Sequence, residues 1–224
     1  MTAAATSHHV PEEHLLEYVA GAGTEAAALA MACHLSLCPS CAALARDLET
    51  MGGAALDPSR AQPLASGTLD RLLARLDEGE RDVASPRDAH GAALLARWGI
   101  PSSVARYLPS GADARRWRRL VPGITRIDLR VGPASTVARL VTLTPGIEIP
   151  LHDHDGTEYT VIFAGALHDE EGRFGRGDIS IREAGAAHVQ RVEKSEPCVA
   201  LVINEGPLRP LTWKGKALSF LSRL

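Results

Sequence analysis

The feature that most constrains this fold is a pattern of spaced glycine, histidine and glutamate residues in the second half of the chain. It reads Gly146-x5-His152-x-His154-x3-Glu158-x6-Gly165. Two histidines that are two residues apart on a β-strand point to the same face of the sheet. Glu158 follows a short turn and is expected to begin the next strand. The pattern therefore predicts paired strands that bring imidazole and carboxylate groups together.

A second pattern of the same kind follows downstream, Gly177-x5-Glu183-x-Gly185-x2-His188. With it the chain offers three imidazoles and one carboxylate from adjacent strands, a donor set that suits a divalent transition ion such as Zn, Fe, Mn, Ni or Cu. Surface histidines arranged by chance are the alternative. The predicted ligands are His152, His154, Glu158 and His188.

The surrounding sequence is typical of short β-strands. Glycine and proline turns separate alternating and β-branched runs, which predicts an all-β sandwich or small barrel. The runs occupy 124–131, 136–144, 158–163 and 198–203.

The two glycine-bounded motifs resemble those of the cupin fold, a small double-sheet barrel. Two positions depart from that pattern: Glu183 stands where proline is usual, and Arg191 where asparagine is usual. Neither departure removes a ligand, so the resemblance implies a metal-binding cupin domain.

The first part of the chain is predicted to be helical instead. Pro11 and Pro39 suit first helical positions, and Thr24 can cap a helix. A glycine pair, Gly52-Gly53, is expected to end the third helix. A further helix near 88–98 is expected within a connecting segment, 79–110. The four main predicted helices span 11–20, 24–37, 39–51 and 68–78.

These helices contain the pattern His34-x3-Cys38-x2-Cys41. His34 and Cys38 are one helical turn apart, and the short turn before Cys41 lets two thiolates reach one ion. A structural zinc site needs four ligands, and His9, 25 residues before His34, is the predicted fourth. A metal would also stabilise a domain whose helices offer so little apolar bulk.

Other assignments for these residues are open. His8 and His14 are the alternative fourth ligands. Cys38 and Cys41 could instead form a redox pair, although no βαβ pattern surrounds them. Cys33 is interpreted as a small core residue.

Charge is distributed unevenly along the chain. Residues 1–80 carry a net charge of −7 and the remainder +4, for a total of −3. The overall charge argues against a general nucleic-acid binder, whereas an acidic small domain often faces a basic partner. The N-terminus has no signal-peptide pattern and no stretch is apolar enough to span a membrane, so a cytoplasmic location is expected.

The histidine and cysteine pattern of the first 80 residues resembles the zinc-binding anti-sigma domain, a four-helix domain that clamps an extracytoplasmic-function (ECF) sigma factor. The resemblance implies that zinc is held by His9, His34, Cys38 and Cys41. It also implies a sigma-facing surface on the fourth helix, for which ordinary packing inside the domain is the alternative. That surface comprises Leu69, Leu72, Leu73 and Leu76.

The two halves in this order resemble the ChrR-type anti-sigma factors. The chain is then an α plus all-β multidomain protein: a zinc-stapled helical domain at 1–80, a linker at 81–110 and a cupin domain at 111–224. The resemblance implies a cytoplasmic, zinc-dependent regulator that inhibits an ECF sigma factor in a 1:1 complex and contacts neither DNA nor membrane. The cupin domain, with Zn, Fe, Mn or Ni, would be required for release under oxidants such as singlet oxygen.

Two other functions compete with this interpretation. One is a metal-dependent cupin enzyme of the dioxygenase kind with a helical zinc appendage. The other is a metal-stapled interaction module for a different partner. The helical motif favours a binding function, because an enzyme has no need of it.

Overall fold

The computed structural model describes residues 6–56, 63–78, 89–109 and 117–212, with helices first and strands after them. The predicted boundaries at 80/81 and 110/111 lie outside these ranges. The helices are α1 (Glu12–Val19), α2 (Glu25–Leu35), α3 (Pro39–Leu56), α4 (Thr68–Glu78) and α5 (Ala89–Trp98), followed by a 3₁₀ helix, η1 (Ser102–Tyr107).

Local sequence explains where two of these helices begin. The Thr24 side chain accepts a hydrogen bond from the Ala27 N–H and caps α2, and Pro39 occupies the first position of α3. The prediction that Gly52-Gly53 ends the third helix is wrong, because α3 continues through both glycines to Leu56. Both have negative φ values, and a glycine weakens a helix interior without breaking it.

Eleven antiparallel strands follow in the described residues after Trp117. They are β1 (Arg118–Val121), β2 (Ile124–Leu129), β3 (Val137–Leu143), β4 (Glu148–His154), β5 (Glu158–Ala164), β6 (Leu167–Asp169), β7 (Gly172–Phe174), β8 (Ile179–Arg182), β9 (His188–Val192), β10 (Cys198–Asn204) and β11 (Leu208–Pro210). Two sheets result, in the orders β1-β2-β3-β10-β5-β8 and β11-β4-β9-β6-β7. The predicted combination of a helical region and an all-β domain is confirmed.

Successive side chains of β5 and β10 point to opposite faces of the larger sheet, and both faces are buried. One face carries Ile162 and Ala200, which pack inside the barrel with residues of the smaller sheet such as Phe174. The opposite face carries Phe163 and Leu201, which pack against the helices. Both faces are buried because β5 and β10 lie in the middle of the sheet and are covered on both sides.

The helices and the outer face of the barrel share one hydrophobic core. Leu29 and Met31 of α2 belong to the same buried cluster as Phe163 and Leu201 of the sheet. Helix α2 contacts β5, β10 and η1 in addition to α1 and α3. The helical region therefore does not rely on its own small core alone.

Gly165 shows why the first cupin-like motif ends in glycine. Its φ is +67°, and a Cβ atom at this position would lie 2.3 Å from the carbonyl oxygen of Pro197. Only glycine fits such a close approach of two backbones. The turn after β5 thus packs directly against the start of β10.

Candidate metal centres and partner surface

The first metal-ligand cluster lies among the first three helices. His9 precedes α1, His34 is in the last turn of α2, and Cys38 and Cys41 flank the start of α3. One ligand atom from each of the four residues lies within 4.8 Å of every other. His9 Nδ1 is 3.3 Å from Cys38 Sγ and 3.5 Å from Cys41 Sγ.

This geometry fits a tetrahedral zinc ion. Zinc bonds of about 2.3 Å to sulfur and 2.1 Å to nitrogen place neighbouring ligand atoms roughly 3.4–3.8 Å apart. His34 donates from Nδ1 to the carbonyl oxygen of Gly177 over 2.8 Å, which leaves its Nε2 as the lone-pair nitrogen. That Nε2 is buried and has no hydrogen-bond partner among the described residues, as expected of a ligand atom facing an ion.

The ionisation of the cluster also suits a cation. Burial lowers the pKa of His34 to about 4, so its ring is neutral at pH 7. Burial raises the pKa of the Cys38 thiol, but hydrogen bonds from Ser40, the Cys41 backbone and His9 outweigh it and bring the pKa to about 7. Burial raises the pKa of Cys41. A metal would complete its deprotonation, as zinc does for a bound thiol.

The alternative ligands lie elsewhere. The His8 ring stacks on Phe174 with centroids 3.9 Å apart. His14 lies 3.9 Å from a Glu17 oxygen and 3.8 Å from a Glu183 oxygen. Cys33 is fully buried, and burial raises its pKa to about 11, consistent with a core residue.

The second cluster lies inside the barrel. His152 and His154 end β4, Glu158 begins β5, and His188 begins β9 opposite His152. His188 Nε2 lies 2.9 Å from His152 Nε2 and 3.4 Å from His154 Nε2. Carboxylate oxygens of Glu158 lie 3.5 Å from the Nε2 atoms of His154 and His188. These separations match the spacing of atoms that share one ion, roughly 3.0–3.4 Å for bonds near 2.1 Å.

Burial dominates the electrostatics of this second cluster. It raises the pKa of Glu158 to about 7 and lowers those of His154 and His188 to about 4 and about 3. The Pro150 carbonyl accepts from His152 Nδ1 over 2.9 Å and directs Nε2 inward. Three neutral imidazoles around a carboxyl group with an unpartnered oxygen are a donor set that could hold a divalent cation.

The leucines of α4 are exposed in the part of the chain that the structure describes. Leu69, Leu72, Leu73 and Leu76 are between 49% and 66% exposed. Their spacing places them on one side of the helix, with Asp70, Arg71 and Arg75 on the other. The helix thus presents an apolar stripe that no other described residue covers, and we call it the α4 leucine face.

Two other residues with redox or metal-binding side chains, Cys198 and His168, belong to neither cluster. Cys198 is fully buried at the start of β10, and burial raises its pKa to about 12, as for an unreactive thiol. His168 lies on β6 at the surface, 3.1 Å from Glu193.

Asp178 makes contacts with the segment before α1 that the sequence did not predict. Its carboxylate does accept from the Gly175 N–H within the turn, and it also accepts from Ser7 and His8 before α1. Gly177 contacts His34 through its carbonyl. No local pattern signals a contact between residues more than 140 positions apart.

A helical region closed by a Cys₂His₂ cluster, followed by a cupin barrel with its own His₃Glu cluster, defines a two-domain protein with two candidate metal sites. The ChrR cupin-like domain family matches residues 110–209. The anti-sigma-E factor ChrR of Cereibacter sphaeroides is 35% identical over 202 residues, covering 90% of this chain and 91% of that protein. The chain belongs to the ChrR family of anti-sigma factors.

A solved structure supports this assignment across both domains. In the crystal structure of Rhodobacter sphaeroides SigE in complex with the anti-sigma factor ChrR, the matched chain has a TM-score of 0.71 and 33% identity. The match covers 89% of this chain and 99% of that one. The family places the chain among regulatory proteins rather than among cupin enzymes.

Proposed function

We propose that this protein is a zinc-dependent anti-sigma factor that holds an ECF sigma factor in a 1:1 cytoplasmic complex. The observation that carries the proposal is the α4 leucine face, an exposed apolar stripe in a chain whose relative is crystallised with its sigma factor. Apolar stripes of this kind on a helix mark protein-binding surfaces. The described part of the chain contains no helix that is both long and apolar enough to cross a membrane.

The first cluster supports binding by fixing the helices. Its four ligands come from the segment before α1, the end of α2 and the start of α3, so one zinc ion would join three elements. With four protein ligands the site has no open position, which is the arrangement of a structural zinc. The negative charge of the first 80 residues favours a basic sigma surface.

The cupin cluster is proposed to receive the signal. A Zn, Fe, Mn or Ni ion held by His152, His154, Glu158 and His188 would supply Lewis-acid or redox chemistry at a position that further ligands can reach. Four protein donors leave room for more ligands on an ion that accepts five or six. Oxidants such as singlet oxygen are the proposed stimulus for sigma release.

Co-purification with a candidate ECF sigma factor tests the sigma-binding function. The wild-type chain should elute with the sigma factor at 1:1, and Leu72→Glu should lower affinity at least tenfold, since central apolar contacts each contribute about 2 kcal/mol or more. Leu208→Glu replaces a similarly exposed leucine on β11 and should bind normally. Equal binding by both variants would remove the α4 leucine face from the interface.

A further inference from the structure

One turn of the cupin domain reaches the first metal cluster. We call residues 175–178, between β7 and β8, the 175–178 turn. The carbonyl oxygen of Gly177 accepts the hydrogen bond from His34 Nδ1 over 2.8 Å, and the contact is buried. A metal-ligating histidine is commonly oriented by a partner on its second nitrogen. Here that partner belongs to the other domain.

Asp178 of the same turn holds the segment that carries His9. Its carboxylate oxygens accept hydrogen bonds from the Ser7 N–H at 2.6 Å, the His8 N–H at 2.9 Å and the Ser7 hydroxyl at 3.0 Å. Asp178 is 3% exposed, so its carboxylate is largely removed from water. His9 is the next residue along the chain, and its position depends on this anchor.

The turn approaches the helices closely because residue 177 is glycine. Its φ is +92°, and a Cβ atom there would lie 3.3 Å from Thr6 Oγ1 and 3.5 Å from Leu37 Cβ. The turn is also tied to β5, since the Gly177 N–H donates to Ile162 O and the Ile162 N–H donates to Asp178 O. Strand β5 begins with Glu158, a ligand of the other cluster.

We infer that the 175–178 turn of the cupin domain forms the outer shell of the helical domain's metal site, with Asp178 as a positioning residue for His9. The two cysteine ligands are placed by α3, whereas both histidine ligands are oriented from the cupin side. The first metal site is therefore completed by both domains. This consequence rests on the proposed anti-sigma function: the zinc site of the partner-binding domain then depends on the position of the cupin domain relative to the helices.

Cobalt substitution isolates the first site. A thiolate bound to Co²⁺ gives a charge-transfer band in the near ultraviolet, and only the first cluster contains cysteine. The full-length protein is loaded with Co²⁺, and decay of this band is followed after excess EDTA is added. Asp178→Ala should lose the band about tenfold faster than wild type, because groups that orient a ligand typically raise metal affinity by about 10–100-fold and a weaker site releases its ion sooner.

A matched control removes a cupin carboxylate that does not touch the helices. Asp169→Ala breaks the ion pair with Arg182 in the same domain and should lose cobalt at the wild-type rate. If Asp178→Ala does not fold, as judged by far-ultraviolet circular dichroism, Gly177→Ala is the second variant, because it crowds Thr6 and should also accelerate loss.

Wild-type rates in the folded variants would overturn the inference. Equal acceleration in Asp169→Ala would overturn it too, because general destabilisation of the cupin domain would then be the cause. No sigma factor is present in the assay. A protein that fails to bind sigma can therefore still pass this test, and the two proposals fail separately.

Discussion

Glu158 is the one acidic member of the cupin cluster, and its burial opposes its ionisation. Burial raises its pKa to about 7, while the Asn204 and Thr160 side chains, which lower it, only partly compensate. In a metal-free protein the carboxyl group is protonated in the folded state well above the pH at which it ionises in the unfolded chain. A bound cation removes this conflict by replacing the proton.

The raised pKa predicts how the metal-free protein responds to pH. The contribution of Glu158 to the free energy of unfolding is fully present below pH 4.5 and is lost as pH rises through about 7. Between these pH values the unfolded state gives up the Glu158 proton more readily than the folded state. The side chain of Glu158→Gln stays neutral at every pH. At pH 8 the free energy of unfolding of the metal-free variant should therefore exceed that of metal-free wild type by about 2–3 kcal/mol. At pH 4.5 the two should be similar. Urea unfolding after EDTA treatment measures both values.

Glu148→Gln serves as the control for this prediction, because it changes an exposed glutamate of β4. Its stability should follow the wild-type curve across the same pH range. A Glu158→Gln advantage that is the same at both pH values would contradict the linkage. When metal is added, wild type should gain stability and Glu158→Gln should gain much less, since it lacks the carboxylate ligand.

At the scale of elements, α3 shows where local rules were misleading. Gly52 and Gly53 resemble a helix end, yet the helix continues to Leu56 with both glycines inside it. Glycine costs helix stability without forbidding helical dihedral angles. By contrast α4 was predicted at 68–78 and is found there, because its amphipathic spacing and flanking glycine agree.

The glycine pair predicts a stabilising substitution. A Cβ atom added at Gly52 or Gly53 meets nothing within 4 Å, so alanine should raise the free energy of unfolding by about 0.5–1 kcal/mol at each site. Denaturant unfolding of the single variants measures this gain. Gly21 has equally open space but a φ of +66°, so Gly21→Ala should destabilise the protein. A loss of stability in Gly52→Ala would argue against a helical conformation there.

The sequence predicts contacts between residues that are close along the chain, and it does not predict contacts between distant residues. His152-x-His154 and Cys38-x2-Cys41 are local patterns, and the geometry of a strand or a helical turn brings their side chains together. The contact between Gly177 and His34 joins positions 143 residues apart and leaves no such pattern. The core shared by α2 and β5 was not predicted for the same reason, because an apolar helix face does not indicate which element packs against it.

At the scale of the whole molecule, α2 is buried between two layers. It contacts α1 and α3 on one side and β5 and β10 on the other. Its Leu29 and Met31 share a buried cluster with Phe163 of the sheet. Separating the helices from the barrel would expose this apolar surface, which opposes independent unfolding of either part.

The shared core predicts that the helices and the barrel unfold together. Calorimetry of the full chain should give one transition, with a van't Hoff enthalpy close to the calorimetric value. Phe163→Ala, at a fully buried position on the sheet side, should destabilise by about 3–5 kcal/mol and lower that single transition without splitting it. Leu72→Glu, on the exposed α4 leucine face, should leave the temperature of this transition unchanged. Two transitions, of which Phe163→Ala moves only one, would show that the domains fold independently despite their common core.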